Sequence, residues 1–287
     1  MTSSTPDLDT RIARLFVYPV KSCAGVEVSE SVLTETGLDL DRAWMVVDDT
    51  GEFVSQRELP RMALVRVQLK TYEVVLRAPG MLALHLSIDS VEDAVRVRVW
   101  DDEVAAFDMG AVAAQWFTDF LGRKLRLVRF DPDHQRTSSP EWTAGVQALN
   151  QFSDGFPLLV ISEGSLAELN QKLVQAGHGA VGIERFRPNI VLAGMQPHDE
   201  DRVGLLRIQA EQQVLLRPVK PCARCTIPNI DPASADSQPY VSDMLQTYRR
   251  NDRLKGAVTF GMNAIIEEGL EQTLRVGQPV SANWQFD

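Results

Sequence analysis

The chain has 287 residues, and 29 Lys+Arg against 39 Asp+Glu leave a formal net charge of −10, which argues against a nucleic-acid-binding surface as its main business. Apolar residues make up 44% and charged residues 24%, the composition of a globular chain with a real core rather than a disordered one. The longest strongly apolar run, residues 156–161, is far short of the roughly 20 residues a membrane helix needs, and residues 1–10 lack the basic and apolar segments of a secretory signal, so the expected compartment is the cytoplasm, away from membranes.

At this length two domains are preferred over one, because single cores stop growing at roughly 250–300 residues. Period-2 patterns dominate the first half. Residues 11–18, 43–48, 63–70 and 73–78, with the strict alternation Val95-Arg96-Val97-Arg98-Val99, predict strands with one buried face. Turn signals at Asp49-Thr50-Gly51, Ala78-Pro79-Gly80 and Trp100-Asp101-Asp102 separate them, and short strands at such spacing suggest a barrel or sandwich. Helical spacing over residues 111–121, stopped at Gly122, predicts a helix that closes this half.

A strand over residues 125–130 leads into the polar, Pro-containing stretch 131–143, where the domain boundary is placed. The second half opens with a buried strand over residues 156–161 and a helix over 165–176, for which Ser165 and Glu168 fit a capping box. Strands are predicted over 189–193, 204–208 and 214–219, then over 259–266 and 272–276 on either side of a turn at Glu267-Glu268-Gly269. The whole reads as β-rich α+β, without an internal repeat.

Cysteine use sharpens the functional question. Three cysteines, Cys23, Cys222 and Cys225, cannot build a disulfide framework. Cys222-Ala223-Arg224-Cys225 sets two thiols three residues apart after a predicted strand, which can bind a soft metal, shuttle electrons or sit inert. Zinc would need two further ligands, and His85, His134, His178 and His198 are scattered. A thioredoxin-like pair would need a helix that Pro228 blocks. Lys220 and Arg224 flank the thiols, and nearby cations favour the thiolate that binds metals.

Four other segments hold polar groups that could carry chemistry. In Tyr18-Pro19-Val20-Lys21-Ser22-Cys23-Ala24-Gly25 a strand runs into a loop that presents Lys21 and the Ser22 hydroxyl; alone, it reads as an ordinary turn with a solvated lysine. Arg42 opens a strand beside Asp39 and Asp41, which by itself is a surface ion pair. In Phe186-Arg187-Pro188-Asn189-Ile190, Pro188 holds Arg187 and Asn189 in one geometry; the arginine can fork onto phosphate and the amide can meet a heterocycle's lactam edge. Phe152-Ser153-Asp154-Gly155 is a polar turn before a buried strand.

Taken together and in this order, these segments resemble the molybdenum-cofactor-binding family named after the C-terminal domain of molybdenum cofactor sulfurase, abbreviated MOSC. The pattern is closest to that of its amidoxime-reducing members and of bacterial members that detoxify N-hydroxylated bases. The resemblance covers nearly the whole chain. It implies an N-terminal β-barrel-like MOSC region over residues 9–125 and a MOSC domain, a β-barrel with peripheral helices, over 126–287.

By the same resemblance Cys225 ligates molybdenum, Cys222 supports it, and Lys21, Ser22, Arg42, Ser153, Asp154, Arg187, Asn189, Ala223 and Arg224 surround the pterin and its phosphate. An acidic chain must concentrate cations to hold that anionic group, and Lys21, Arg42, Arg187 and Arg224 are the candidates. The implied activity is a molybdenum-dependent, pyridoxal-phosphate-independent oxidoreductase that reduces N-hydroxylated or N-oxygenated small molecules. No cysteine follows Cys225, so no iron–sulfur motif like that of some bacterial members is expected, and electrons are expected from a separate flavin or iron–sulfur reductase. The alternative is a sulfur carrier or cofactor-handling protein with a persulfide on Cys225.

Overall fold

The structure, a computed structural model, describes residues 6–286. Residues 1–5 of the stretch read for a secretory signal, and Asp287, lie outside the described residues. Seven strands close into a barrel: Leu8–Val17 (β1), Leu158–Ser162 (β2), Ile190–Ala193 (β3), Val203–Ile208 (β4), Val214–Ala223 (β5), Ala257–Glu268 (β6) and Pro279–Trp284 (β7). Around the barrel they run β2-β3-β1-β7-β4-β5-β6 and back to β2, antiparallel at every seam except β2–β3. The first strand of the chain is thus built into a barrel whose other six strands all follow residue 157.

Side-chain alternation fills the barrel. Ile12, Leu15 and Val17 of β1 meet Leu158 and Val160 of β2, Leu206 of β4, Leu216 of β5 and Ala264 of β6 in one interior core. The opposite faces of β1 and β2 are also buried. Phe16, Leu159 and Ile161 lie under two helices, Glu163–Gln175 and Tyr240–Tyr248, which contribute Leu169, Leu173, Val241 and Leu245. Burial on both faces is why residues 156–161 read as one unbroken apolar run. At Gly261 in β6, φ is 78° and a Cβ would come within 2.5 Å of the Ile161 side chain, so glycine alone lets β6 close against β2.

The chain between β1 and β2 folds over this barrel as smaller sheets. Strands Trp44–Val47, Arg126–Phe130, Asp102–Asp108 and Ala94–Val99 form an antiparallel sheet in that order, and Arg66–Leu69, Glu73–Arg77 and Leu84–Ser87 form a meander. The helix Gly110–Leu121 packs Trp116, Phe117 and Phe120 into their shared core and ends in left-handed Gly122, at φ 72°.

Several local expectations are corrected. Residues 60–64 form a 3-10 helix opened by Pro60, so the strand expected from residue 63 begins at Arg66. The helix expected from Ser165 starts at Glu163, and its cap is Ser162, whose hydroxyl accepts from the Ser165 N–H. Ser165 donates its own hydroxyl to Glu200 at 2.6 Å, and Glu168 ion-pairs with Lys172 instead of closing a box. The strand expected to stop at 266 runs to Glu268, and Gly269 turns with φ 95°. Unanticipated are Asp102–Asp108, Leu84–Ser87, β7 and the helix Tyr240–Tyr248. No helix among the described residues is long and apolar enough to cross a membrane.

Candidate functional site

A cleft of about 260 Å³ opens where the smaller sheets meet the outside of the barrel. Its floor includes a row set by strand register. Leu159 of β2 pairs with Asn263 of β6, and Asn263 with Lys220 of β5, so the three share a face opposite the interior residues Leu158 and Ala264.

The residues that the resemblance places around the cofactor all line this one cleft. Lys21 and Ser22 come from the loop after β1, Arg42 from the turn before Trp44–Val47, and Ser153 and Asp154 from the loop before β2. Arg187 and Asn189 precede β3, and Cys222, Ala223, Arg224 and Cys225 sit at the end of β5. Lys220, read from the sequence beside the thiols, lines it too, and the structure adds Arg57, with Phe53, Ser55 and Phe156. Six lining residues are cations, Lys21, Arg42, Arg57, Arg187, Lys220 and Arg224, against one carboxylate, Asp154.

The cations stand on a rigid frame centred on Tyr18. The ring is fully buried, with the Arg42 guanidinium 4.4 Å and the Arg187 guanidinium 4.3 Å from its centre. Arg42 ion-pairs with buried Asp41 and donates to Asn189 Oδ1 at 3.1 Å and to the Arg187 carbonyl at 3.0 Å. Arg187 donates to the Cys23 carbonyl at 2.6 Å. Burial, helped by the neighbouring Arg42 charge, pulls the Arg187 guanidinium down to about 10. Burial pushes the Cys23 thiol up to about 12, which leaves it an inert core residue.

Backbone strain marks the same frame. Ser22, Arg42 and Arg187 all have left-handed φ, at 68°, 53° and 58°, a conformation that costs a non-glycine residue about 1 kcal/mol or more. Proline disfavours the helical region at the preceding residue, so nothing in the local sequence points Arg187 there; the left-handed turn caps the 3-10 helix Ile183–Phe186 and aims the side chain at Tyr18. Asn189 is 1% exposed, and its amide is used within the frame. Oδ1 accepts from Leu159 N–H and Arg42, both at 3.1 Å, and Nδ2 donates to the Phe16 carbonyl at 3.3 Å.

On the next wall Lys21 is buried and donates to the Phe152 carbonyl at 2.7 Å and to Asp154 at 2.6 Å. Burial pulls its ammonium below the usual value, opposed by Asp154. Desolvation works to raise the Asp154 carboxyl, but the Lys21 charge and hydrogen bonds from Lys21 and Trp100 hold it well below the usual carboxylate range. Arg136, which sequence reasoning missed, ties this loop down: Nη1 reaches the Asn150 side chain and the Gln151 and Ser153 carbonyls at 2.6, 2.9 and 2.6 Å. Its sequence neighbourhood carries no signal, because the residues it organises are 14–17 positions away.

Both thiols of the pair are partly exposed. Arg224 donates to Cys222 Sγ at 3.0 Å and to the Phe186 carbonyl at 2.9 Å. Lys220, expected to act on the thiols, instead sets its ammonium over the rings of Trp142 and Phe156. Among the described residues no three His, Cys, Asp or Glu side chains converge as a metal site. A metal held at these thiols must therefore bring most of its donors with it, as a metal–dithiolene cofactor does.

The family model described as the MOSC N-terminal beta barrel domain matches residues 9–124, and that of the MOSC domain matches residues 148–281. Human mitochondrial amidoxime-reducing component 1 is 35% identical over 94% of this chain and 82% of the relative. Human mitochondrial amidoxime reducing component 2 is 32% identical with the same coverage. Molybdenum cofactor sulfurase of Arabidopsis thaliana is 30% identical over 92% of this chain but 34% of its own length.

Proposed function

The chain belongs to the MOSC family, and we propose that it holds molybdenum cofactor in the cleft and reduces N-hydroxylated or N-oxygenated small molecules with electrons from a separate protein. The observation that carries this reading is a cleft with six cations, one carboxylate and an accessible thiol pair, in a chain whose net charge is −10. Such a cleft suits an anionic, phosphorylated ligand, and a lone soft thiolate suits a metal that arrives with its own sulfur donors.

In this reading Cys225 is the metal ligand. Lys21, Ser22, Arg42, Arg187 and Arg224 hold the anionic parts of the pterin, and Ser153, Asp154 and Ala223 complete its surroundings. Asn189 acts by fixing Arg42. Arg224 keeps the Cys222 sulfur hydrogen-bonded beside the ligand position. Once bound, the cofactor supplies the two-electron chemistry, and the protein supplies position and electrostatics. The walls take part of the site out of bulk water, which strengthens every charge–charge contact there.

The test is elemental analysis of wild-type protein and Cys225→Ala, both made in a host that synthesises the cofactor, followed by reduction of an N-hydroxylated base with an artificial electron donor. Near-stoichiometric molybdenum and turnover are expected in the wild type, and loss of both in a normally folded variant. Wild-type protein without molybdenum overturns the assignment.

A further inference from the structure

Lys220 differs from every other cation in the cleft. Lys21, Arg42, Arg187 and Arg224 each donate to a main-chain carbonyl, and Arg57 donates to the Ser55 hydroxyl. Lys220 is half-buried at the end of the floor row, next to Asn263, whose amide donates to the Lys220 carbonyl at 3.3 Å and fixes that stretch of β5. Its ammonium lies 5.2 Å from the centre of the Trp142 ring and 5.8 Å from that of Phe156. Among the described residues it has no ion pair and no side-chain hydrogen bond. Lys220 lines the cleft together with Phe156, so an ammonium with free N–H donors stands there beside an aromatic ring, two residues along the strand from Cys222.

That arrangement sorts N-oxygenated compounds from their reduced forms. An amidoxime is neutral near pH 7 and offers an oxygen that accepts from an ammonium. The amidine left after reduction has lost that oxygen and carries a positive charge, which a nearby ammonium repels. The Phe156 ring offers the same apolar contact to either compound, so discrimination falls to the charge. Building on the proposed function, we propose that Lys220 is the specificity-determining residue of this site. It draws in the N-oxygenated substrate and drives out the basic product.

The proposal predicts opposite effects on two constants. In Lys220→Met, made in a cofactor-synthesising host, KM for benzamidoxime with reduced methyl viologen as donor rises at least tenfold, while the inhibition constant of benzamidine falls at least threefold. Lys220→Arg keeps both near wild type. Molybdenum content stays unchanged in both variants, and direct titration with benzamidine, read by quenching of tryptophan fluorescence, shows the same tightening without turnover. Should Lys220→Met fail to fold, Lys220→Gln is measured in its place with the same expectation.

Both constants moving in one direction, or neither moving, overturns the proposal while leaving the proposed function intact. Loss of molybdenum from a folded Lys220 variant also overturns it, by assigning the lysine to the cofactor. A wild type with neither molybdenum nor turnover removes both.

Discussion

Asn189→Ala separates two accounts of the same residue. From resemblance alone the amide meets the cofactor; in the structure all three of its hydrogen bonds stay within the protein, to Leu159 N–H, the Phe16 carbonyl and Arg42. Truncation strands the buried Leu159 N–H and weakens the surroundings of the Phe16 carbonyl, at about 1–3 kcal/mol for each buried group left unpaired. Arg42 retains Asp41 and the Arg187 carbonyl, so the frame loosens without collapsing. The net loss should be about 2–4 kcal/mol, a large share of the roughly 5–15 kcal/mol that holds a domain together. For a chain of this size that corresponds to a fall in Tm of roughly 3–7 °C. The decisive assay is thermal and urea unfolding of protein made in a host that cannot synthesise the cofactor. If the cofactor-free variant melts within about 2 °C of cofactor-free wild type, a threshold set by the same scaling, the structural role assigned to Asn189 is wrong.

Two other positions test the scaffold. Glu200 is fully buried, and its Oε1 accepts from Ser165 Oγ and Ser162 N–H; burial pushes its carboxyl above the usual range. A carboxyl raised in the folded state contributes stability that is full below its unfolded value and is lost as pH rises through the folded one. Glu200→Gln should therefore gain Tm relative to wild type between pH 5 and pH 8, and parallel profiles would refute the burial argument. At Gly25 a Cβ would lie 2.4 Å from Tyr18 Cε1. Gly25→Ala must displace the ring that carries Arg42 and Arg187, so it should cost about 1–3 kcal/mol and lower molybdenum content; wild-type values of both would contradict the clamp.

The parts of the fold most legible in the sequence were those with one clean periodicity. Val95 to Val99 alternates strictly and forms a strand, and the helix ending at Gly122 stops in left-handed backbone. Asp102–Asp108 was hidden because its first residues, Asp and Glu, also signal a turn; Trp100 at φ 56° makes that turn so tight that the strand begins inside the signal. The helix Tyr240–Tyr248 lacks a side-chain cap and was silent for that reason. In the site, residue types and order were readable, whereas the roles were not. Nothing in Phe186-Arg187-Pro188-Asn189 says that the arginine turns left-handed onto Tyr18, 169 positions earlier, since that contact exists only after β1 and β3 pair.

That pairing also bears on how an acidic chain keeps a cationic cleft. Four of the cations are anchored on main-chain carbonyls: Lys21 on Phe152, Arg42 on Arg187, Arg187 on Cys23 and Arg224 on Phe186. A carbonyl dipole satisfies a donor without cancelling its charge, whereas among the described residues only Lys21 and Arg42 of the cleft cations are paired with carboxylates. The arrangement therefore fixes the geometry while keeping most of the positive charge available, with two guanidiniums on one ring and three residues in left-handed backbone. The like charges repel one another, and an anionic ligand relieves that repulsion by neutralising the charge, while the frame goes on carrying the backbone strain. The burden is borne by β1, which is locked into the barrel by β3 and β7 and runs straight into the loop bearing Lys21 and Ser22. The same strand that completes the barrel thereby holds the cleft in its binding geometry before any ligand arrives.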